Sequence, residues 1–259
     1  LLMNYGIAHV SIIPMRFEAS DRSEMVSQIL FGEHFKVLNK KTQWVKVRLA
    51  HDQYEGWICR KQYFEIDKAQ FLSLSDETTY FNPHLMDALS TDNGELIPIG
   101  LGSLLPFFDG KTCIINNIRL HFDGAEVLAQ KYNKHNVVNT AYMFLHAPYL
   151  WGGRTPLGVD CSGLTQMAYR LNGMSLPRDA AQQVELGTTL SFIEEAEPGD
   201  LAFFDNSEGD IIHVGIILEN NHILHASGKV RVDRIDQQGI FNKELGYHTH
   251  KLRTVSYTH

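Results

Sequence analysis

A chain of 259 residues is longer than one typical domain of about 100–150, so two domains, or three small ones, are expected. Its 23 Lys and Arg against 30 Asp and Glu leave a net charge of −7 with His neutral and no basic block, which argues against nucleic acid as a partner, because dense positive charge drives that binding. The 44% apolar and 20% charged composition is that of a folded protein, and no apolar run approaches the roughly 20 residues of a membrane helix.

The chain begins at Leu1 rather than Met, from which a removed or omitted upstream segment is expected; Leu1-Leu2-Met3 is too short to be a signal peptide. Residues 6–66 read as short strands between turns. Gln43-Trp44-Val45-Lys46-Val47-Arg48 alternates strongly, placing Trp44, Lys46 and Arg48 on one face and Val45 and Val47 on the other. With Gly56-Trp57-Ile58 after the next turn, this segment resembles a bacterial SH3-like barrel, although a generic small β-barrel fits nearly as well. Residues 67–130 carry Asn93-Gly94 and Asp109-Gly110 as turn signals among short apolar runs. A second, degenerate SH3-like barrel is expected there.

From residue 131 the pattern changes. Val137–Leu145 has apolar residues at helical spacing, and the Gly-rich loop Gly152–Gly158 leads to a helix starting near Cys161, with Leu164, Met167, Ala168 and Leu171 as its stripe. Strands are expected at Leu201–Phe204, Ile211–Leu218, His222–Ala226 and Val230–Arg234, which makes this region α+β with an antiparallel sheet.

The three cysteines, Cys59, Cys113 and Cys161, form no CxxC and fit neither a disulfide framework nor a zinc knuckle. Cys161 lies outside the apolar stripe of its helix, at an N-terminus where unpaired backbone N–H groups and the helix dipole favour a thiolate. By position alone, a nucleophile and a small core residue fit it equally. A thiolate nucleophile needs an imidazole, and His213 stands amid the apolar strand Ile211–Leu218, on one face with Gly215 and Ile217. The other reading of His213 is a core histidine satisfied by backbone. His225 shares that face only if the connecting loop has an odd number of residues. A three-residue loop, Glu219-Asn220-Asn221 with an asparagine in the left-handed conformation, meets this condition. It would place His225 opposite Gly215 and diagonal to His213, as the group that orients the base. His248 and His250 read as solvated surface residues. Zinc on Cys161, His213 and His225 is not expected, because their spacing matches no tight zinc pattern.

Tyr149, Trp151-Gly152-Gly153, Asp160-Cys161-Ser162-Gly163, Leu176-Pro177-Arg178, Pro198-Gly199-Asp200-Leu201, His213-Val214-Gly215 and His225-Ala226 together resemble the NlpC/P60 family of papain-like cysteine peptidases. The resemblance covers about residues 131–259. It implies an α+β fold in which the cysteine-bearing helix packs on an antiparallel sheet, preceded by two small SH3-like β-barrels: domains of residues 1–66, 67–130 and 131–259. It further implies Cys161 as nucleophile, His213 as general base, His225 as orienting residue and the Tyr149 hydroxyl beside the oxyanion, with no cofactor. The whole layout resembles the γ-D-glutamyl-L-diamino acid endopeptidase branch, which cuts peptidoglycan stem peptides bearing a free N-terminal L-Ala and releases L-Ala-D-Glu. That branch implies a cleft wall from the SH3-like domain and an ammonium pocket, for which Asp179, Glu24 and Tyr54 are the candidates. It also implies substrate contacts from Asp160, Ser162, Trp151 and Arg178. Ala180 departs from the hydroxyl that relatives often carry there. A non-catalytic wall-binding protein and an amidase or acyltransferase of the same superfamily are the alternatives. A monomer working on wall peptides in the periplasm or cell envelope is expected, with cytoplasmic recycling as the alternative.

Overall fold

The computed structural model describes residues 4–76, 80–124, 127–128 and 132–257, and the chain divides into two compact units, Leu1–Gln130 and Lys131–His259. Leu1-Leu2-Met3, on which the reading of an upstream segment rests, lies outside the described residues. No helix among the described residues is long and apolar enough to cross a membrane.

In the first unit, β1 (Tyr5–Ala8), β2 (Ile12–Arg16), β3 (Met25–Leu30), β4 (His34–Lys40), β5 (Trp44–Leu49), β6 (Glu55–Cys59) and β7 (Tyr63–Ile66) form one antiparallel sheet in the order β3-β2-β6-β5-β4-β1-β7. Period-two alternation drives it: in β5, Val45, Val47 and Leu49 are buried while Trp44, Lys46 and Arg48 are half-buried. Inward residues of successive strands, among them Ile13, Met15, Ile29, Phe35, Val47 and Ile58, meet in one apolar cluster.

Helix α1 (Lys68–Asp76) follows, an element that a strand-and-turn reading of this stretch does not anticipate. Its start was written locally. The Asp67 carboxylate accepts the Gln70 N–H at 2.8 Å while the Gln70 side chain accepts the Asp67 N–H at 3.1 Å, a reciprocal cap. Beyond it come β8 (Tyr80–Phe81), β9 (Met86–Thr91), β10 (Leu96–Gly100), β11 (Thr112–Ile115), β12 (Ile118–His121) and β13 (Val127–Leu128). These make a four-stranded sheet in the order β10-β9-β12-β11 and a β13-β8 ladder. The apolar cluster here joins Leu89, Ile99, Phe108 and Leu120 to Ile7 and Ile66 of the preceding sheet and to Phe31 in the turn after β3.

The second unit opens with α2 (Lys134–Tyr142), which begins before the apolar pattern does because the Asn133 side chain accepts the His135 N–H at 2.8 Å. A short hairpin, β14 (Arg154–Thr155) with β15 (Gly158–Val159), leads to α3 (Cys161–Arg170), and α4 (Ala180–Gln183) and β16 (Thr188–Thr189) come next. The rest is sheet: β17 (Leu201–Asp205), β18 (Ile211–Leu218), β19 (His222–Ser227), β20 (Lys229–Asp236), β21 (Gly239–Asn242) and β22 (Tyr247–Tyr257). They run in the order β22-β17-β18-β19-β20-β21, and β21 pairs again with β22, so six strands close on themselves while β16 adds to β22. Ala202, Phe204, Ile217, Ile223, Ile235, Ile240 and Val255 fill the inner cluster. α3 packs on β18 and β19 from the other side and is buried along its whole length. The expected stripe of Leu164, Met167, Ala168 and Leu171 is buried, but so is every other face of the helix, so lying outside the stripe does not expose Cys161.

Candidate active site

The loop before α3 is tied down by one carboxylate. Asp160 caps α3 by accepting the Gly163 N–H at 2.7 Å, and its other oxygen accepts the Gly152 N–H at 2.8 Å. Arg178, only 1% exposed, closes a fork on the same carboxylate at 2.6 and 3.0 Å and donates to the Ser162 hydroxyl at 2.9 Å. Asp160, Ser162 and Arg178 are therefore engaged with one another and with the loop. Their work is to hold the first turn of α3, and with it Cys161, in place.

Cys161 keeps 7% of its surface exposed. The backbone N–H groups of Val214, on β18, and of Ser162 both reach its sulfur. Burial opposes the pull of the helix N-terminus here. Burial pushes the thiol up to about 11, the Asp160 charge adds to this, and the two N–H groups only partly offset it. Tyr149 is half-buried, and burial together with the nearby Cys161 and Asp160 raises its phenol to about 12. It therefore stays a protonated donor.

The β18–β19 hairpin has the odd-length loop that puts both histidines on one face. Leu218 pairs with His222 across the three-residue loop Glu219–Asn221, and Asn220 and Asn221 both have φ of 57°. Gly215 thus stands opposite His225. A Cβ at Gly215 would lie 2.9 Å from the His225 Cβ and 2.7 Å from the Ile223 Cδ1, so only glycine lets the rings come together. His213 Nε2 and His225 Nδ1 are 2.9 Å apart, in a T-shaped arrangement with the rings at 84°.

The relay continues past His225. Its Nε2 lies 3.0 Å from Asp233 Oδ2, and Asp233 is itself gripped by Arg231 at 2.6 and 3.0 Å. The carboxyl of Asp233 is pushed up by burial, but the hydrogen bonds from His225 and Arg231 outweigh this and hold it below the usual carboxylate range. A carboxylate can only accept, so His225 carries its proton on Nε2 and accepts at Nδ1. His213 must then donate from Nε2, which leaves Nδ1 as its basic nitrogen. Burial, reinforced by His225 and His250, holds His213 well below 6.5, and burial also lowers His225 despite the Asp233 hydrogen bond. Burial thus opposes charge on the thiol and on both imidazoles.

Sequence reasoning missed Asp233 and Arg231, although a signal existed. Gly228 turns β19 into β20, with Ser227 opposite Lys229 and His225 opposite Arg231, so alternation sets Arg231 and Asp233 on the face of His225. The reading of His250 as a solvated surface residue is overturned: it is half-buried and its ring stacks on His213 at 4.2 Å and 27°. His248 does pair at the surface, with Asp236 at 2.9 Å. Nitrogens of His213, His225 and His250 lie within 4.8 Å of one another. Two of these rings are already hydrogen-bonded to each other, and the near-parallel stack keeps the lone pairs of His213 and His250 from converging, so the donor set fits a relay better than a metal.

Of the remaining candidates, Trp151 is 59% exposed on the loop and Asp179 is half-buried at the N-cap position of α4. Both belong to the second unit. Glu24 and Tyr54 belong to the first, where Glu24 is exposed just before β3 and Tyr54 packs on the barrel core.

Residues 146–249 match the NlpC/P60 family, and residues 15–62 match the bacterial dipeptidyl-peptidase SH3 domain. The second unit is an NlpC/P60 domain. The chain is 29% identical over 238 residues to the gamma-D-glutamyl-L-lysine dipeptidyl-peptidase of Bacillus subtilis (strain 168), covering 85% of this chain and 78% of that one. To dipeptidyl-peptidase 6 of Lysinibacillus sphaericus it is 28% identical over 240 residues, 83% of this chain and 86% of that one. A crystal structure of an NlpC/P60 family protein from Bacillus cereus ATCC 10987 shares its fold at a TM-score of 0.81 and 19% identity, over 98% of this chain and 99% of that one. In NlpC/P60 terms, the cysteine helix and the two-histidine hairpin of this chain stand in the second unit and the SH3 domain in the first.

Proposed function

We propose that the protein is a cysteine peptidase that hydrolyses the γ-D-Glu–L-diamino acid bond of peptidoglycan stem peptides and releases L-Ala-D-Glu. The observation that carries this reading is the unbroken relay from His213 through His225 to Asp233, on the strand whose next N–H meets the Cys161 sulfur. The names of the two relatives supply the peptide class.

The proton of the Cys161 thiol passes to His213 Nδ1 as the sulfur attacks the γ-amide carbonyl. Burial raises the thiol and lowers the imidazole, which favours transfer in step with attack. Asp233 and His225 fix the tautomer that makes it possible and offset the imidazolium charge. Backbone N–H groups at the start of α3 and the protonated Tyr149 phenol stabilise the oxyanion. The tetrahedral intermediate collapses, the C–N bond breaks, and the leaving amine takes the proton from His213. Water, deprotonated by His213, then cleaves the thioester and regenerates the thiol. Asp179 is our candidate for the carboxylate that receives the free N-terminal ammonium.

The test is L-Ala-γ-D-Glu-L-Lys with product identification by mass spectrometry. The protein should release L-Ala-D-Glu, Cys161→Ala should lose on the order of 10⁴-fold in kcat, and the N-acetylated peptide should resist. Undiminished cleavage by Cys161→Ala would refute the reading.

A further inference from the structure

The relay restrains only one edge of the His213 ring. A single hydrogen bond to His225 leaves the plane of His213 free to swing about the line joining the two nitrogens, and that swing would move Nδ1. Something must cover the face of the ring. That group is His250, reaching in from β22: centroid to centroid 4.2 Å with the planes 27° apart. Phe204 bears on both rings, 5.7 Å from His213 and 6.0 Å from His250, and His225 stands edge-on to His250 at 5.6 Å.

His250 is itself held. Its Nδ1 lies 2.9 Å from the Thr249 hydroxyl, and its backbone is clasped by the opposite strand at Ile240. Next to that pair, Gly239 has φ of 136°, and a Cβ there would fall 1.8 Å from the His250 carbonyl oxygen, so the close approach of β21 and β22 at this point depends on glycine.

We propose that His250 is a positioning residue for the general base, its neutral ring clamping the plane of His213 so that Nδ1 stays aimed at Cys161. This rests on the reading of Cys161 and His213 as nucleophile and base. The neutral ring also offers its π face to His213 when His213 becomes an imidazolium, a favourable contact that a cationic neighbour would turn into repulsion. Burial and the nearby His225 hold His250 down to about 4, so it meets this condition at neutral pH.

The experiment compares His250→Leu, which fills the space without a ring face, with His250→Phe, which restores a face but no nitrogen. With L-Ala-γ-D-Glu-L-Lys as substrate, His250→Leu should lose about tenfold in kcat at unchanged KM, and His250→Phe should recover to within about threefold of the parent. Histidine side-chain ¹⁵N relaxation spectra, recorded for each variant in a Cys161→Ala background, should show Nδ1 of His213 unprotonated in all three, with the ring rigid in the parent and in Phe but mobile in Leu. The spectra need no substrate, so they judge the clamp even if no peptide is cleaved, an outcome that would count against the peptidase reading alone. Parental kcat and a parental His213 spectrum in His250→Leu would overturn the inference. So would a folded His250→Phe as impaired as Leu, which would make the nitrogens, not the face, the operative feature.

Discussion

Both units curl an antiparallel sheet around a core, and the two cores differ in kind. In the first unit the inner cluster of β2–β6 is aliphatic and aromatic, from Ile13 and Met15 to Val47 and Ile58. In the second, Ala202, Ile217 and Val255 occupy the same kind of space, but the inner faces of β18, β19, β20 and β22 also carry His213, His225, Asp233 and His250. Polar groups removed from water must be matched or they cost several kcal/mol, and here each is matched by the next. The first core is tolerant of volume-conserving change. The second is a chain of obligations in which every link fixes the protonation of its neighbour.

The largest expected difference comes from cutting that chain. Asp233→Ala removes the acceptor that fixes the His225 tautomer and leaves Arg231 facing the relay without its carboxylate, so kcat should fall about 10²-fold with KM little changed. Steady-state kinetics check this, and an unchanged kcat would show that His225 keeps its tautomer unaided. Next, Gly215→Ala forces a Cβ to within 2.9 Å of His225 and should cost about 1–3 kcal/mol of stability, read by thermal unfolding, and lower kcat as well.

Acidification separates the two cores more gently. His213, His225 and His250 all titrate below 6.5 in the folded chain, burial being the first cause for each. Below pH 6.5 the unfolded chain therefore binds protons that the folded chain refuses, and stability falls as pH drops from 7 to 5. His9, stacked on Phe64 in the first unit, acts in the same direction. Asp233 contributes only at lower pH, because its depressed carboxyl loses stability below the ordinary carboxylate range. Tm measured across that window should decline, by about 2–4 °C for each kcal/mol lost, and His250→Phe should flatten the decline. The smallest effect belongs to the aliphatic core: Ile58→Val should cost about 1 kcal/mol and leave kcat untouched well below the transition.

How far the sequence could be read follows the same division. Alternation in β5 and the odd loop at Glu219–Asn221 are local rules, and from them the burial of Val45 and Val47 and the opposition of Gly215 and His225 could be worked out. The burial of Cys161 could not, because the helix N-terminus is a local signal while packing by surrounding elements is not. His250 was missed for a related reason. His-Thr-His looks like an exposed alternation until β22 is known to pair with both β17 and β21, which brings its ring over a strand far away in sequence. Helix α1 is the opposite case: Asp67 and Gln70 stood in the sequence as a cap and simply went unread.

The closure of β17–β22 has one more consequence. A stretch of strand paired on both sides offers no ladder for an extended guest to join, so main-chain pairing with a peptide is confined to stretches with one partner, such as Ile211–Val214 of β18. Elsewhere on the closed sheet a ligand has only side chains and loops to hold it.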